Sequence, residues 1–409
     1  MLRGLSRRKA NMDLAIDLFA VISVLLIGAD IWGLDVGVNL RVDQLFLAVL
    51  TVLLFCKNGL VLSKNFYLWA FLVLSLISAV LEFSKFRGFL FFCSILYNVF
   101  FVYLCFYNYV RIYGIRKFIK LFRFTCYILF VIMMFQVVIK VIFDYSFPFL
   151  PDYGMAYGVY RFSIWFYEPS YLATYLTFWL TLSLIMLVEK DVSYVKDIVL
   201  CLAMMVFSTS TSGFAGIAFA FALAYLVWLN KGVSVKKLLV LLIPVVLLVA
   251  VRLFAPGFFY LFIGRIFSGD LNGATGGRIE KWAETFNVFL QRPLFGVGPG
   301  CYGFYLNEDA GYVPSNVTLE LMATLGIFGA LAFYLITLSL IINCIKSYKT
   351  NRKENALLFA AALALIVFTV ILQVNQGYLR LYHWMFFGLT DGGCAYAARK
   401  NLFNGRKDG

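Results

Sequence analysis

Apolar runs of about 20 residues recur along this chain, each long enough to cross a hydrocarbon core of roughly 30 Å. Twelve such spans are expected, at about 13–33, 40–56, 66–83, 88–110, 122–142, 169–188, 197–210, 212–229, 236–255, 315–345, 356–375 and 380–398. The seventh and eighth meet at Ser208-Thr209-Ser210-Thr211-Ser212-Gly213 and read as two spans or one broken pair. The twelfth is the least apolar, interrupted by Asp391-Gly392-Gly393. With 63% of its 409 residues hydrophobic and 14% charged, the chain lacks the polar surface that soluble domains of this size need. The fold class expected is all-α: one polytopic membrane bundle over residues 1–409 with about 12 transmembrane helices.

The net charge of +14 would raise nucleic-acid binding in a soluble protein. Here its distribution argues for topology instead, because Lys and Arg accumulate in cytoplasmic loops. With the N-terminus placed in the cytoplasm, 24 of the 35 basic residues fall in the N-tail, 57–65, 111–123, 189–197, 230–237, 346–355 and the C-tail. The opposite side holds Lys85, Arg87, Arg161, Arg265, Arg278, Lys281, Arg292 and Arg380, while Arg41, Lys140 and Arg252 sit at or inside span ends. Both termini are therefore expected in the cytoplasm, and no nucleic-acid partner is expected. The basic N-terminus resembles a signal peptide in shape but lacks a small-residue cleavage site, so its apolar run is read as a retained helix.

None of the eight cysteines forms a CxxC pair, and His383 is the one histidine. No disulfide framework, metal site or other cofactor is expected. His383 reads as a packed or hydrogen-bonded residue of a bundle helix. No internal repeat suggests inverted-repeat transporter architecture.

Two long outer loops remain, at about 143–168 and 256–314, and chemistry is expected there. The first is dense in Tyr, Phe and Trp. Its rings, Tyr160 among them, are interfacial anchors or stacking surfaces for sugars. Arg161 and Glu168 flank Ser163-Ile164-Trp165-Phe166-Tyr167. If that stretch is helical, their seven-residue spacing puts both on one face. They form an interfacial salt bridge, or Arg161 binds a diphosphate through its planar fork.

The second loop offers an apolar stretch ending at Arg265, a glycine-rich turn to Arg278, and then Arg278–Gln291. Ile279, Trp282, Phe286 and Phe289 recur there at helical spacing, predicting a short amphipathic helix that lies on the bilayer or packs on the bundle. It stops at Arg292-Pro293. The pair Gly296 and Gly298 follows no strand, so a nucleotide fold is rejected.

Gly277-Arg278-Ile279-Glu280 with Trp282, then Pro293 to Gly300, Ser315-Asn316, Leu319-Glu320 and Leu325-Gly326-Ile327-Phe328-Gly329 resemble the O-antigen ligase and polymerase superfamily. Glu168-Pro169-Ser170 after Arg161 and the step Ser208–Gly213 are similar to further motifs of its polymerases, although an arginine often found at that step is missing. The resemblance implies a metal-independent glycosyltransferase of the GT-C type. Its substrate would be an undecaprenyl-diphosphate-linked oligosaccharide at the periplasmic face of a bacterial inner membrane. Membrane lipid surrounds such a protein, and a chain-length regulator is an implied partner.

A diphosphate leaving group calls for cationic stabilisation, and Arg161, Arg265 and Arg278 are the arginines best placed by motif. Arg292, Trp282, Asn316, Glu320 and Tyr160 complete the expected substrate contacts. The ligases carry a histidine in the pair that here reads Ser315-Asn316, which favours polymerase. Glu168 is the first choice for general base, ahead of Glu320, Asp309 and Glu308, and it could equally orient Arg161. The alternatives are an O-antigen ligase and a flippase or transporter of lipid-linked sugars.

Overall fold

The computed structural model describes residues 2–35, 39–82, 86–150, 152–156, 159–232, 277–306, 314–375 and 377–405. The expected span at 236–255 and the loop up to 276, with Arg265, lie outside the described residues, as do Glu308 and Asp309. The helices are α1 Leu2–Leu26, α2 Val42–Asn58, α3 Phe66–Leu81, α4 Phe86–Tyr113, α5 Ile115–Phe143, α6 Pro169–Val188, α7 Val195–Ser208, α8 Thr211–Asn230, α9 Arg278–Gln291, α10 Val317–Thr350, α11 Ala356–Ile371 and α12 Leu381–Gly405. Among them α4, α5, α6, α8 and α10 are long and apolar enough to cross a membrane, and α3 and α11 are shorter apolar helices. The chain is a helical membrane protein.

It is not helical throughout. Two antiparallel hairpins are present: β1 Gly33–Asp35 with β2 Asn39–Arg41, and β3 Asp152–Ala156 with β4 Val159–Phe162. The basic segment 111–123 is also mostly helix, because α5 starts at Ile115, directly after Gly114 ends α4 with φ of 85°.

Helix α6 is the axis of the bundle. Every residue from Pro169 to Met186 is buried, the expected fate of a helix that is apolar on all sides. It packs against α7, α8 and α11. Gly216 of α8 allows that approach, since a Cβ there would lie 2.4 Å from Thr177 Oγ1. Of the two readings of the tight connection between α7 and α8, separate helices are what the structure has: Thr209 turns the chain left-handed at φ 43°, and Ser210 caps α8.

Helix α12 is continuous through Asp391-Gly392-Gly393, the point where the apolar run is interrupted. The glycines are a packing surface. A Cβ on Gly388 or Gly392 would lie 2.3 or 2.4 Å from the carbonyl oxygens of Tyr103 and Tyr107 on α4. This is the close approach that glycines four apart permit between membrane helices. Asp391 is satisfied within the same contact, accepting from Ser63 Oγ at 2.5 Å and Tyr103 OH at 2.8 Å. His383 is buried in α12 among Phe333, Phe368 and Phe387, the packed role read from sequence.

Candidate active site

The start of α6 places the candidate Glu168. Glu168 precedes Pro169, and a residue before proline is driven out of the helical region; Glu168 is extended, with φ −138° and ψ 150°. It occupies the N-cap position. Its carbonyl accepts from Tyr171 N–H at 3.0 Å and its carboxylate from Ser170 Oγ at 2.9 Å. Upstream, Ile164 is buried with φ of 59°, a conformation rare for a β-branched residue. The stretch between Arg161 and Glu168 is thus a turn and not a helix. The expectation that both share one helical face is corrected: Pro169 and the left-handed Ile164 prevent it.

Arg278 opens α9, directly after the left-handed Gly277 at φ 76°. It is half-buried and electrostatically coupled to Glu168. Burial lowers its pKa, and the Glu168 carboxylate opposes that shift. The two residues lie 110 positions apart in sequence, and the fold brings their charges together.

A second arginine joins from the residue directly before α12. Arg380 lies 3.8 Å from the centroid of the Tyr171 ring and 2.8 Å from a carboxylate oxygen of Asp30. Its charge is therefore compensated by the Asp30 carboxylate and the face of the Tyr171 ring. Asp30 also pairs with Arg41, which in turn holds Asp43 at 2.6 Å. Glu320, in the first turn of α10, is buried. Gly377 N–H donates to it, Arg380 is its nearby positive charge, and its Oε2 has no protein partner among the described residues.

Three helix N-termini are stapled together here. Asn316 caps α10 by accepting from Leu319 N–H at 3.0 Å, and it donates to the Gln373 carbonyl at 3.0 Å. Asn375 donates to the Ser170 carbonyl at 3.1 Å and to Thr174 Oγ1 at 2.6 Å, both on α6. The turn carrying Gln373 and Asn375 then leads into α12. The positive ends of α6, α10 and α12 therefore meet beside Arg380, an arrangement that favours a bound anion.

The remaining sequence-selected residues are held in other ways. Arg161 lies half-buried on β4, in register with Tyr153 of β3. Tyr160 donates to Asp144 at 3.3 Å, with Lys140 5.0 Å above its ring. Trp282 Nε1 donates to the Pro314 carbonyl at 2.9 Å. Arg292 pairs with Glu82 at 2.5 Å, and Glu82 also accepts from Tyr305 OH at 2.8 Å. Three of the first loop's aromatics are core: Phe162, Trp165 and Phe166 are buried, and Trp165 packs on Trp32 at 5.4 Å, whereas Phe143, Tyr145, Phe149 and Tyr167 are exposed. Helix α9 has the predicted bounds, but it buries Thr285 and Val288 and leaves Ile279 and Phe286 exposed. Arg380, Tyr171 and Asp30 were not selected from sequence. An acid and a base at the ends of two different spans were the available signal, and only the fold pairs them.

The two glycine motifs lock together beneath this site. Gly326 breaks α10 with φ 69° and ψ −175°, which frees the carbonyls of Ala323 and Thr324. Val297 N–H and Gly298 N–H of the turn after α9 donate to those carbonyls at 2.9 and 3.0 Å, and Ile327 N–H returns a bond to the Pro293 carbonyl at 2.8 Å. Residues 198–334 match the family model described as O-Antigen ligase. That segment contains α7, α8, α9, the turn and the kink of α10. It is similar to a superfamily of membrane enzymes that transfer glycans, in agreement with the motifs between Gly277 and Gly329. Comparison with curated proteins gives no match.

Proposed function

We propose that the chain is a polysaccharide polymerase that joins lipid-diphosphate-linked oligosaccharide units on the outer face of the inner membrane. The observation that carries this reading is the meeting of the N-termini of α6 and α10 beside Arg380, with Glu168 at the N-cap of α6 and its carboxylate favouring the charged form of Arg278. Glycosyl transfer needs both kinds of charge. The acceptor hydroxyl oxygen attacks the anomeric carbon, the bond from that carbon to the lipid diphosphate breaks, and the diphosphate leaves with the electron pair. Arg278 stabilises the departing charge, an electrostatic role that is commonly the largest single contribution to such catalysis. Glu168 accepts the proton lost by the acceptor hydroxyl. Arg161 and Arg265 supply further positive charge along the diphosphate. Arg292, Trp282, Asn316, Glu320 and Tyr160 line the approach of the glycan or hold the elements that do.

The ligase reading stays as the alternative because the matching family model carries that description. Ser315-Asn316, where the ligases have a histidine, favours the polymerase. In the host, Arg278→Ala distinguishes the classes by the surface polysaccharide on a gel. A polymerase defect leaves a single repeat unit on the lipid A core. Loss of all O-chain with accumulation of lipid-linked polymer means a ligase. Build-up of unpolymerised lipid-linked units on the cytoplasmic face means a flippase. Unchanged laddering in both Arg278→Ala and Arg161→Ala would overturn the site.

A further inference from the structure

A cavity of about 800 Å³ opens at the other end of the bundle from Glu168. Met186 and Glu189 line it, and they stand at the far end of α6, roughly 30 Å from Glu168 at 1.5 Å per residue. Its walls come from the first turns of α5, the last turn of α10, the start of α11, and the segment between α6 and α7. Ile119, Met186 and Leu357 supply an apolar floor, while the rim is strongly basic.

Some of that charge is already balanced. Arg123 pairs with Asp197 at 2.8 Å and Lys231 with Glu189 at 2.9 Å. Glu354 is held by Lys400 through both carboxylate oxygens at 2.9 Å, and this keeps its pKa below the ordinary glutamate value. Asp191 caps the short turn that follows, accepting from Ser193 N–H at 3.1 Å. Arg116, Lys120, Arg352 and Lys353 remain, and they form no salt bridge among the described residues. Four cations therefore ring a cavity in which Asp191 is the one acid without an ion pair among the described residues. Positive charge that merely orients a membrane protein needs no cavity, and no convergence of α5, through Arg116 and Lys120, with the α10–α11 loop, through Arg352 and Lys353.

We propose that this cavity binds a phosphate group, that of an anionic phospholipid headgroup, with the apolar floor receiving the glycerol and upper acyl carbons. Basic pockets between membrane helices are suited to such headgroups, and guanidinium groups bind phosphate oxygens in pairs. The site is independent of the transfer chemistry at the Glu168 end.

The test is native mass spectrometry of the full-length protein released from vesicles of phosphatidylcholine with one-fifth phosphatidylglycerol or cardiolipin. The wild type should retain anionic lipid in preference to phosphatidylcholine. Lys120→Glu with Arg352→Glu should lower that retention at least tenfold, while Lys349→Glu, which removes a nearby charge outside the cavity, should leave it unchanged. Lys120→Arg with Arg352→Lys should keep retention and so separates binding from misfolding. A parallel arm adds inorganic phosphate to protein in pure phosphatidylcholine. Thermal stabilisation there, abolished by the double Glu variant, assigns the same phosphate site to a soluble source. Equal retention in wild type and the double Glu variant, with no stabilisation by phosphate, overturns the proposal.

Discussion

The guanidinium of Arg380 stacks on the ring of Tyr171 at 3.8 Å, joining the start of α12 to the first turn of α6. It also pairs with Asp30 in the turn that follows α1, so one side chain links that turn to α6 and to the start of α12. Breaking a buried ion pair from one side leaves the other charge uncompensated. Arg380→Ala should therefore lower stability by about 3–5 kcal/mol, read as thermal unfolding in detergent. Arg380→Lys keeps the charge but loses the stacked plane. It should unfold at an intermediate temperature; unfolding like wild type would show that the stack contributes nothing.

Glu168 and Arg278 should act as a pair. Arg278→Lys retains charge without the fork, and Glu168→Gln retains shape without the charge. Each should reduce polymer formed from lipid-linked units in vitro, on the order of a hundredfold for loss of a group aimed at developing charge. Groups acting as one unit are strongly non-additive, so the double variant should be little worse than the more damaging single one. Multiplying effects would show that they work separately.

Asn375 is a buried amide with both its donated bonds on α6. Asn375→Ala should cost about 1–3 kcal/mol, because the Ser170 carbonyl and Thr174 hydroxyl lose a buried partner. It should also lower transfer activity without contacting substrate, because the N-termini of α6 and α12 lose their staple. Asn375→Asp, with two acceptors facing a carbonyl, should be worse than alanine in the same unfolding assay.

Two left-handed glycines make a controlled comparison. Gly277, at φ 76°, has nothing within 4 Å of an added Cβ, whereas Gly326, at φ 69°, would put it 2.2 Å from the Leu294 carbonyl oxygen. Gly277→Ala should cost only the backbone penalty of about 1–2 kcal/mol. Gly326→Ala adds a steric clash with backbone and should unfold or misassemble the 293–329 region. Similar melting temperatures for the two variants would refute this account of the kink.

What was legible in the sequence followed from local rules. Hydrophobic length located the helices, and the spacing of Ile279, Trp282, Phe286 and Phe289 gave α9 its bounds. The same pattern left open whether α9 lies on the bilayer or packs on the bundle, because the 3.6-residue period marks an apolar face without saying whether protein or lipid covers it. Asp391-Gly392-Gly393 made the twelfth span the least apolar, and hydropathy gave no reason for it; the contact of Gly388 and Gly392 with the Tyr103 and Tyr107 carbonyls supplies one. The Arg161 to Glu168 geometry failed through Pro169, which holds Glu168 extended, and through Ile164, whose positive φ no propensity predicts. Arg380 was hidden for another reason: its partners lie 350 and 209 positions away, on Asp30 and Tyr171.

The interlocked turn and kink carry a further consequence for exchange of parts. Val297 and Gly298 end their hydrogen bonds on carbonyls that exist unpaired only because Gly326 interrupts α10. Each half is an incomplete structure without the other. A chimaera that imports residues 293–300 from a relative while keeping its own 323–329 would join two surfaces shaped for different counterparts. One that imports 293–329 whole would carry its complementarity with it. The stretch is therefore a cassette, and crossovers between related chains should be tolerated at its borders and not within it.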